Sequence, residues 1–433
     1  MDEATIIDLT LDGKGVADTS GKVAFVPFTI PGERVRYQLK KKKKSFDEAE
    51  LLEVIDHSLE RIKPRCEYFT ICGGCSLQHI RSDGQISFKQ HAVLETMRRV
   101  GSVTPQQVYP PAVHKVWGYR RRARLAVKFV AKKGRALVGF RERNAPYVAD
   151  MWSCEVLHPS IATLIEPLSY LISSLSIRDK LPQIECSVAE NITALVFRIL
   201  AAPSKQDLNK LCQFEKDKKI RIYLQTKGLD TVAPLSPEKN QDALSYSLSP
   251  FGLKLEFLPV DFIQVHHEMN QKMVLQAISW LDLHPQDKVL DLFCGLGNFS
   301  LPIATHVEKV LGIEGNEGLA ARASHNAQIN QITNAEFIQA DLFKVDQTCQ
   351  WLNISWDAVV IDPPRAGAKE VIEWLGRITS PKVLYVSCHP ATLARDANVL
   401  TSLLGYEVKR LNVLDMFPHT GHVETMVLFT KKP

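Results

Sequence analysis

No stretch of this sequence approaches the roughly 20 consecutive apolar residues of a membrane-spanning helix. Its opening, MDEATIIDLTLDGKG, lacks the basic and then apolar character of a secretory leader. A cytoplasmic protein with no membrane partner is therefore expected. Cysteine is scarce, nine in 433 residues. In a reducing compartment these are expected to be thiols, metal ligands or catalysts rather than a disulfide framework. Net charge is small as well, but the total of +5 conceals an imbalance. Residues 1–150 hold 27 Lys+Arg against 17 Asp+Glu, whereas the remaining 283 hold 26 against 31. A basic N-terminal part joined to a mildly acidic remainder suggests that one part grips a polyanion while another carries out chemistry. At this length two to four domains are expected.

What is present begins with alternation. Residues 4–57 alternate apolar and polar positions, with Gly13, Gly15, Gly21 and Pro31-Gly32 as turn signals. That pattern predicts five short strands closed into an OB-like barrel. Phe25, Phe28, Tyr37 and Phe46 are candidates to stack on bases, with filling of the barrel core the alternative for Phe25 and Tyr37, and the Lys40–Lys44 run is a candidate to meet phosphates from a loop tip. The pattern GKGVA…GKVAFV…PGERV resembles a TRAM domain, an RNA-binding module. In PRCEYFTICGGCSLQH, Cys66, Cys72 and Cys75 are spaced C-x5-C-x2-C around Gly73-Gly74, and Cys154 is the next cysteine in the chain. Structural zinc usually takes two paired cysteine hooks, whereas three close cysteines and a distant fourth are nearer to iron–sulfur ligation. A structural [4Fe–4S] cluster is favoured over zinc. Arg120, Arg121, Arg122, Arg124 and Arg143 crowd a predicted hairpin, where guanidinium forks suit phosphate. Residues 155–250 read as mixed helix and strand without a legible function.

From about Phe251 the pattern becomes repeated strand–turn–helix. VLDLFCGLGNFSLPIA places a strand before Gly295 and Gly297. Glu314 ends the next strand about 20 residues on, where a carboxylate accepts hydrogen bonds from both ribose hydroxyls of a nucleoside cofactor. Asp341 and Asp362 end a third and a fourth strand. Missing here is the last glycine of Gly-x-Gly-x-x-Gly, its place taken by Ser300, and Asp291 precedes the loop. An acid there suits a cationic methyl donor better than a pyrophosphate, so S-adenosylmethionine is expected rather than NAD. In PKVLYVSCHPATLARD a buried strand ends at Ser387-Cys388 and a helix opens at Pro390, which places Cys388 on the sheet edge where ligands bind. A helix N-terminus favours thiolate, so a lowered thiol pKa is expected. Glu424 in FPHTGHVETMVLF enters a final apolar strand, and beside a reactive cysteine it reads as a general base.

Taken together, DLFCGLGNFSLPIA, IDPPRAG, VSCHPATLARD and HTGHVETMVLF, with the cysteine group and the barrel, resemble the RNA uracil-5 methyltransferase family along essentially the whole chain. The barrel and cysteine group are most similar to its 23S ribosomal RNA branch. The resemblance implies an α/β multidomain enzyme. A TRAM barrel would cover 1–57, a central α+β iron–sulfur and RNA-binding domain 58–250, and a Rossmann-like class I methyltransferase domain 251–433. It implies Cys388 as nucleophile and Glu424 as base. Gln264, Phe293, Asn298, Glu314, Asp341 and Asp362 fall at its S-adenosylmethionine positions, and Cys66, Cys72, Cys75 and Cys154 at its [4Fe–4S] positions. The implied partner is 23S rRNA, acted on by a monomer; transfer RNA or another ribosomal uridine is the alternative substrate. The rival from another class is an RNA-binding protein with an inactive methyltransferase fold, which would fail to bind S-adenosylmethionine.

Overall fold

The structure, a computed structural model, describes residues 1–19, 21–236 and 243–432. Strands Asp2–Leu9, Lys14–Ala17, Ala24–Pro27, Arg34–Lys42 and Asp47–Asp56 close into a barrel in the order first, second, third, fifth, fourth. This arrangement is consistent with an OB-like barrel. The alternating pattern closes it, with Ile6, Ala17, Val26, Val35 and Tyr37 filling the interior. Tyr37 is thus a core residue rather than a stacking platform, whereas half-buried Phe25 and Phe46 meet with ring centroids 5.2 Å apart. Lys40, Lys41 and Lys42 extend the fourth strand instead of forming a loop tip, and Lys40 pairs with Glu50 at 2.6 Å.

A second sheet has six strands in the order Val232–Pro234, Ile220–Gln225, Thr193–Arg198, Gln183–Val188, Arg122–Val130, Arg135–Gly139. The last two are the predicted hairpin, turning at Gly134 with φ of 66°. Two of its arginines have partners within the fold. Arg122 donates to Ser187 Oγ at 2.8 Å and to the carbonyls of Pro259 and Val260 at 3.0 and 2.8 Å. Arg124 stands opposite Glu185 in the neighbouring strand and pairs with it at 2.9 Å. Partners that the local pattern cannot reveal thus hold Arg122, 18% exposed, inside the fold, whereas the Arg124 side chain, paired with Glu185, remains 69% exposed.

The largest sheet has eight strands, in the order Ala335–Gln339, Lys309–Glu314, Lys288–Leu292, Ala358–Ile361, Lys382–Ser387, Glu424–Lys431, Tyr406–Leu414, Gln107–Val108. The first five run parallel, and Glu424–Lys431 lies antiparallel to both its neighbours. Runs such as AVVI are buried on both faces because helices cover both sides. Helix Ser82–Arg99 packs on helix Pro390–Ser402, and Gln107–Val108 joins the sheet edge, so residues 82–108 belong to this layer although they precede the central sheet in sequence. Strand order reverses beside Lys288–Leu292, which opens a crevice at the strands' C-terminal ends. Among the described residues no helix is long and apolar enough to cross a membrane.

Candidate active site

Strand Lys288–Leu292 ends at Phe293, a left-handed residue (φ 65°) whose ring lies 5.8 Å from that of Phe343. Gly295 and Gly297, also at positive φ, then turn the chain into the short helix Ser300–Ala304. Glu314, closing the adjacent strand, accepts the Gly295 N–H at 3.1 Å on one oxygen and the Asn316 N–H at 2.9 Å on the other. Both oxygens keep further acceptor capacity for ribose hydroxyls. Asn298 exchanges hydrogen bonds of 2.8 and 2.9 Å with Asn270 and accepts the Tyr246 hydroxyl at 3.1 Å. Asn270 and Tyr246 come from outside the glycine motif, so no local signal marks them. Asp341 lies beyond the end of its strand at Gln339; it is exposed and accepts the Phe343 N–H at 3.0 Å. Gln264 is half-buried in the loop before helix His267–Leu281.

Asp291 is fully buried, bonded by the Ser300 hydroxyl through one oxygen while the other has no partner. Burial pushes Asp291 up to about 7, and burial with the Asp291 charge pushes Asp362 up to about 7. A cation in this crevice would relieve both, so the residues present fit the sulfonium of S-adenosylmethionine.

Cys388 follows strand Lys382–Ser387 directly, and His389 caps the next helix, its ring accepting the Thr392 N–H at 3.4 Å. Glu424 opens the neighbouring antiparallel strand and is 4 % exposed. Burial and the Asp362 charge hold it well above the usual carboxylate range. Burial, then Glu424 and Asp362, push the Cys388 thiol up to about 11, with Arg365 opposing. The direction is opposite to the lowering expected from the helix: Cys388 stands outside the first turn, and burial, reinforced by two carboxylates on other strands, disfavours the thiolate. Arg365 bonds the His422 ring at 2.8 Å. Cys388, Arg365 and His422 line a cavity of about 600 Å³ whose other walls are Phe25 and Phe28 of the barrel and Gly73-Gly74 of the cysteine loop.

Cys66, Cys72, Cys75 and Cys154 line a second cavity, of about 210 Å³. Burial pushes Cys75 up to about 11 and Cys154 up to about 12. Arg143, read from sequence as a phosphate ligand, instead donates to the Phe69 carbonyl at 3.3 Å and to the Cys75 carbonyl, and lies 4.8 Å over the Phe28 ring. Phe28 also packs edge-on against Phe69 at 5.3 Å. Both side chains serve the junction of barrel and cysteine loop, a role that only the fold reveals.

The sequence model of the tRNA (uracil-5-)-methyltransferases matches residues 89–432. The 23S rRNA (uracil(1939)-C(5))-methyltransferase of Nitrosococcus oceani is 45% identical over 430 residues, covering 99% of this chain and 95% of that protein. Its counterpart in Methylococcus capsulatus is 44% identical over 420 residues, covering 97% and 95%. In fold the chain is similar to the crystal structure of Pyrococcus abyssi tRNA (uracil-54, C5)-methyltransferase in complex with S-adenosyl-L-homocysteine, with a TM-score of 0.75 at 24% identity over 99% of this chain and 100% of that one. A full-length correspondence in sequence, joined to a nucleoside crevice with a cysteine on its lip, leads to one assignment: the chain belongs to the tRNA (uracil-5-)-methyltransferase family.

Proposed function

We propose that this chain methylates C5 of a uridine in 23S rRNA, the position numbered 1939 in the names of its relatives, through a transient bond between Cys388 Sγ and uracil C6. The observation that carries this reading is Cys388 on the wall of a cavity shared with the barrel and the cysteine loop, on a strand whose last residue, Ser387, pairs with Thr425 next to buried Glu424. S-adenosylmethionine, when bound, supplies an electrophilic methyl group. Gln264, Phe293, Asn298, Glu314, Asp341 and Asp362 would hold it.

Uracil C5 is too weak a nucleophile to take a methyl group unaided. Adding the Cys388 thiolate to C6 would move the π electrons onto C5 and O4, and C5 would then bond to the methyl carbon as the methyl–sulfonium bond breaks, its electron pair staying on the departing neutral thioether. Glu424 as carboxylate takes the C5 proton, the C5–C6 double bond re-forms, and Sγ leaves with the electrons of its bond. A thiol held near 11 is protonated at rest at neutral pH, so its proton must leave before addition. Arg365, fixed by His422, brings positive charge to the same cavity. The target base must leave its stack to reach this depth, with the TRAM-like barrel gripping flanking RNA.

The same reading assigns Cys66, Cys72, Cys75 and Cys154 to a structural [4Fe–4S] cluster. Two things support it: the cavity that the four cysteines share, and the sequence pattern of three close cysteines with a distant fourth, nearer to iron–sulfur ligation than the paired hooks of structural zinc. Iron and sulfide in stoichiometric amounts, with broad visible absorbance, are expected of anaerobically purified protein; stoichiometric zinc instead would overturn the assignment.

The function is tested by incubating purified protein with a 23S rRNA fragment and methyl-labelled S-adenosylmethionine, then mapping the label. Label on C5 of one uridine, absent when that uridine is replaced by cytidine, is expected. Label confined to transfer RNA, or no S-adenosylmethionine binding, contradicts it.

A further inference from the structure

The loop joining strands Tyr406–Leu414 and Glu424–Lys431 leads straight into Glu424, and its backbone is held by groups from one distant segment. Lys89 Nζ donates to the Phe417 carbonyl at 3.0 Å and to Asp415 at 2.9 Å. The Tyr119 hydroxyl donates to the Pro418 carbonyl at 3.0 Å. His419 is left-handed, with φ of 66°. Its N–H donates to Gln85 Oε1 at 2.9 Å, and its carbonyl accepts the N–H groups of Ser76 and Leu77 at 2.8 and 3.0 Å. Its ring stacks on Trp117 at 3.8 Å. Ser76 and Leu77 follow Cys75 directly in sequence, so the fold of the cysteine loop and the place of the His419 carbonyl are one geometric fact. A non-glycine residue at positive φ persists only where its surroundings over-determine it.

We propose that the segment from the cysteine loop to Tyr119 is a clamp that positions Glu424, with Gln85 as its central positioning residue, so that abstraction of the C5 proton depends on how the cysteine loop is folded. The proposal rests on Glu424 being the base. It makes the cysteine site a support for one chemical step rather than a general brace. Cofactor binding, built from the opposite strands of the sheet, lies outside its reach. The clamp acts on a group that must meet the C5 proton at hydrogen-bond distance, and a misplacement of about 1 Å there costs about 100-fold in rate.

The test uses the full-length protein carrying Gln85→Leu, which keeps the side-chain volume and removes the hydrogen bonds to His419. Three results are expected: kcat falls by about 10- to 100-fold, S-adenosylmethionine affinity stays within about twofold, and a covalent protein–RNA species accumulates because only a step after addition is slowed. Hydrogen exchange of residues 415–424 should quicken while that of strands Lys288–Leu292 and Ala358–Ile361 does not. Chelating the metal from the cysteines of the wild-type protein should quicken the same peptide. Should chelation unfold the whole chain, the Gln85→Leu exchange decides alone. Unchanged exchange over 415–424 in the variant overturns the proposal, as does a kcat loss matched by lost cofactor affinity with no covalent species. Failure of the catalytic reading is separate: it appears as methylation by Cys388→Ala protein, whatever the exchange shows.

Discussion

The parallel sheet and the segment from Cys66 to Tyr119 serve one active site by opposite means. In the sheet each functional side chain stands at the end of a strand: Phe293, Glu314, Asp362 and Cys388 follow or close four strands that sit side by side. Their partners are near in sequence, as Glu314 with Gly295 and Asn316. The clamp works across the chain, Gln85 reaching His419 over 334 positions and Lys89 reaching Asp415 over 326. In this contrast the candidate site residues come from short motifs at strand ends, while the loop leading into Glu424 is hydrogen-bonded by a segment more than 300 positions away in sequence.

The largest effect is expected on the sheet side. Cys388→Ala should abolish methyl transfer, by about 10⁴-fold or more, while S-adenosylmethionine binding persists; methyl incorporation and calorimetry check the two halves. On the clamp side, Lys89→Met should leave Asp415 buried without its ion pair. Lys89 is 1 % exposed, and breaking a buried pair costs about 3–5 kcal/mol, read as a lowered urea midpoint.

Alkylation of Cys388 by iodoacetamide should be slower than that of a free cysteine at pH 8. Its pKa lies above the ordinary thiol value, so thiolate is scarce below about 11 and the rate should keep rising with pH through 10. A plateau by pH 9 would mean that the helix outweighs Glu424 and Asp362. The smallest effect is expected at the cofactor: Glu314→Gln removes a charged acceptor worth about 1.5–3 kcal/mol, weakening S-adenosylmethionine binding in calorimetry without changing RNA binding.

Much of the sheet was legible because strand, turn and site residue lie within a few positions of each other. Alternation in the first 57 residues likewise foretold a closed barrel. What escaped was every property fixed by a partner on another element. The direction of the Cys388 shift comes from burial first and then from Glu424 and Asp362, which arrive on different strands. Arg122 reads as a phosphate ligand until Glu185, Ser187 and the carbonyls of Pro259 and Val260 are placed around it. Phe28 reads as a stacking platform until Arg143 and Phe69 are placed against it, whereas for Tyr37 the barrel core is already one of two readings. The clamp gave one faint sign, a lysine and a glutamine four residues apart on the buried face of helix Ser82–Arg99.

The most direct test of the central claim is Glu424→Gln protein incubated with S-adenosylmethionine and the target RNA, then run on a denaturing gel. A band of protein bound to RNA through Cys388, bearing the transferred methyl group and resistant to denaturation, is the predicted result. No such band, or one that persists when Cys388→Ala is added to the same protein, contradicts the account.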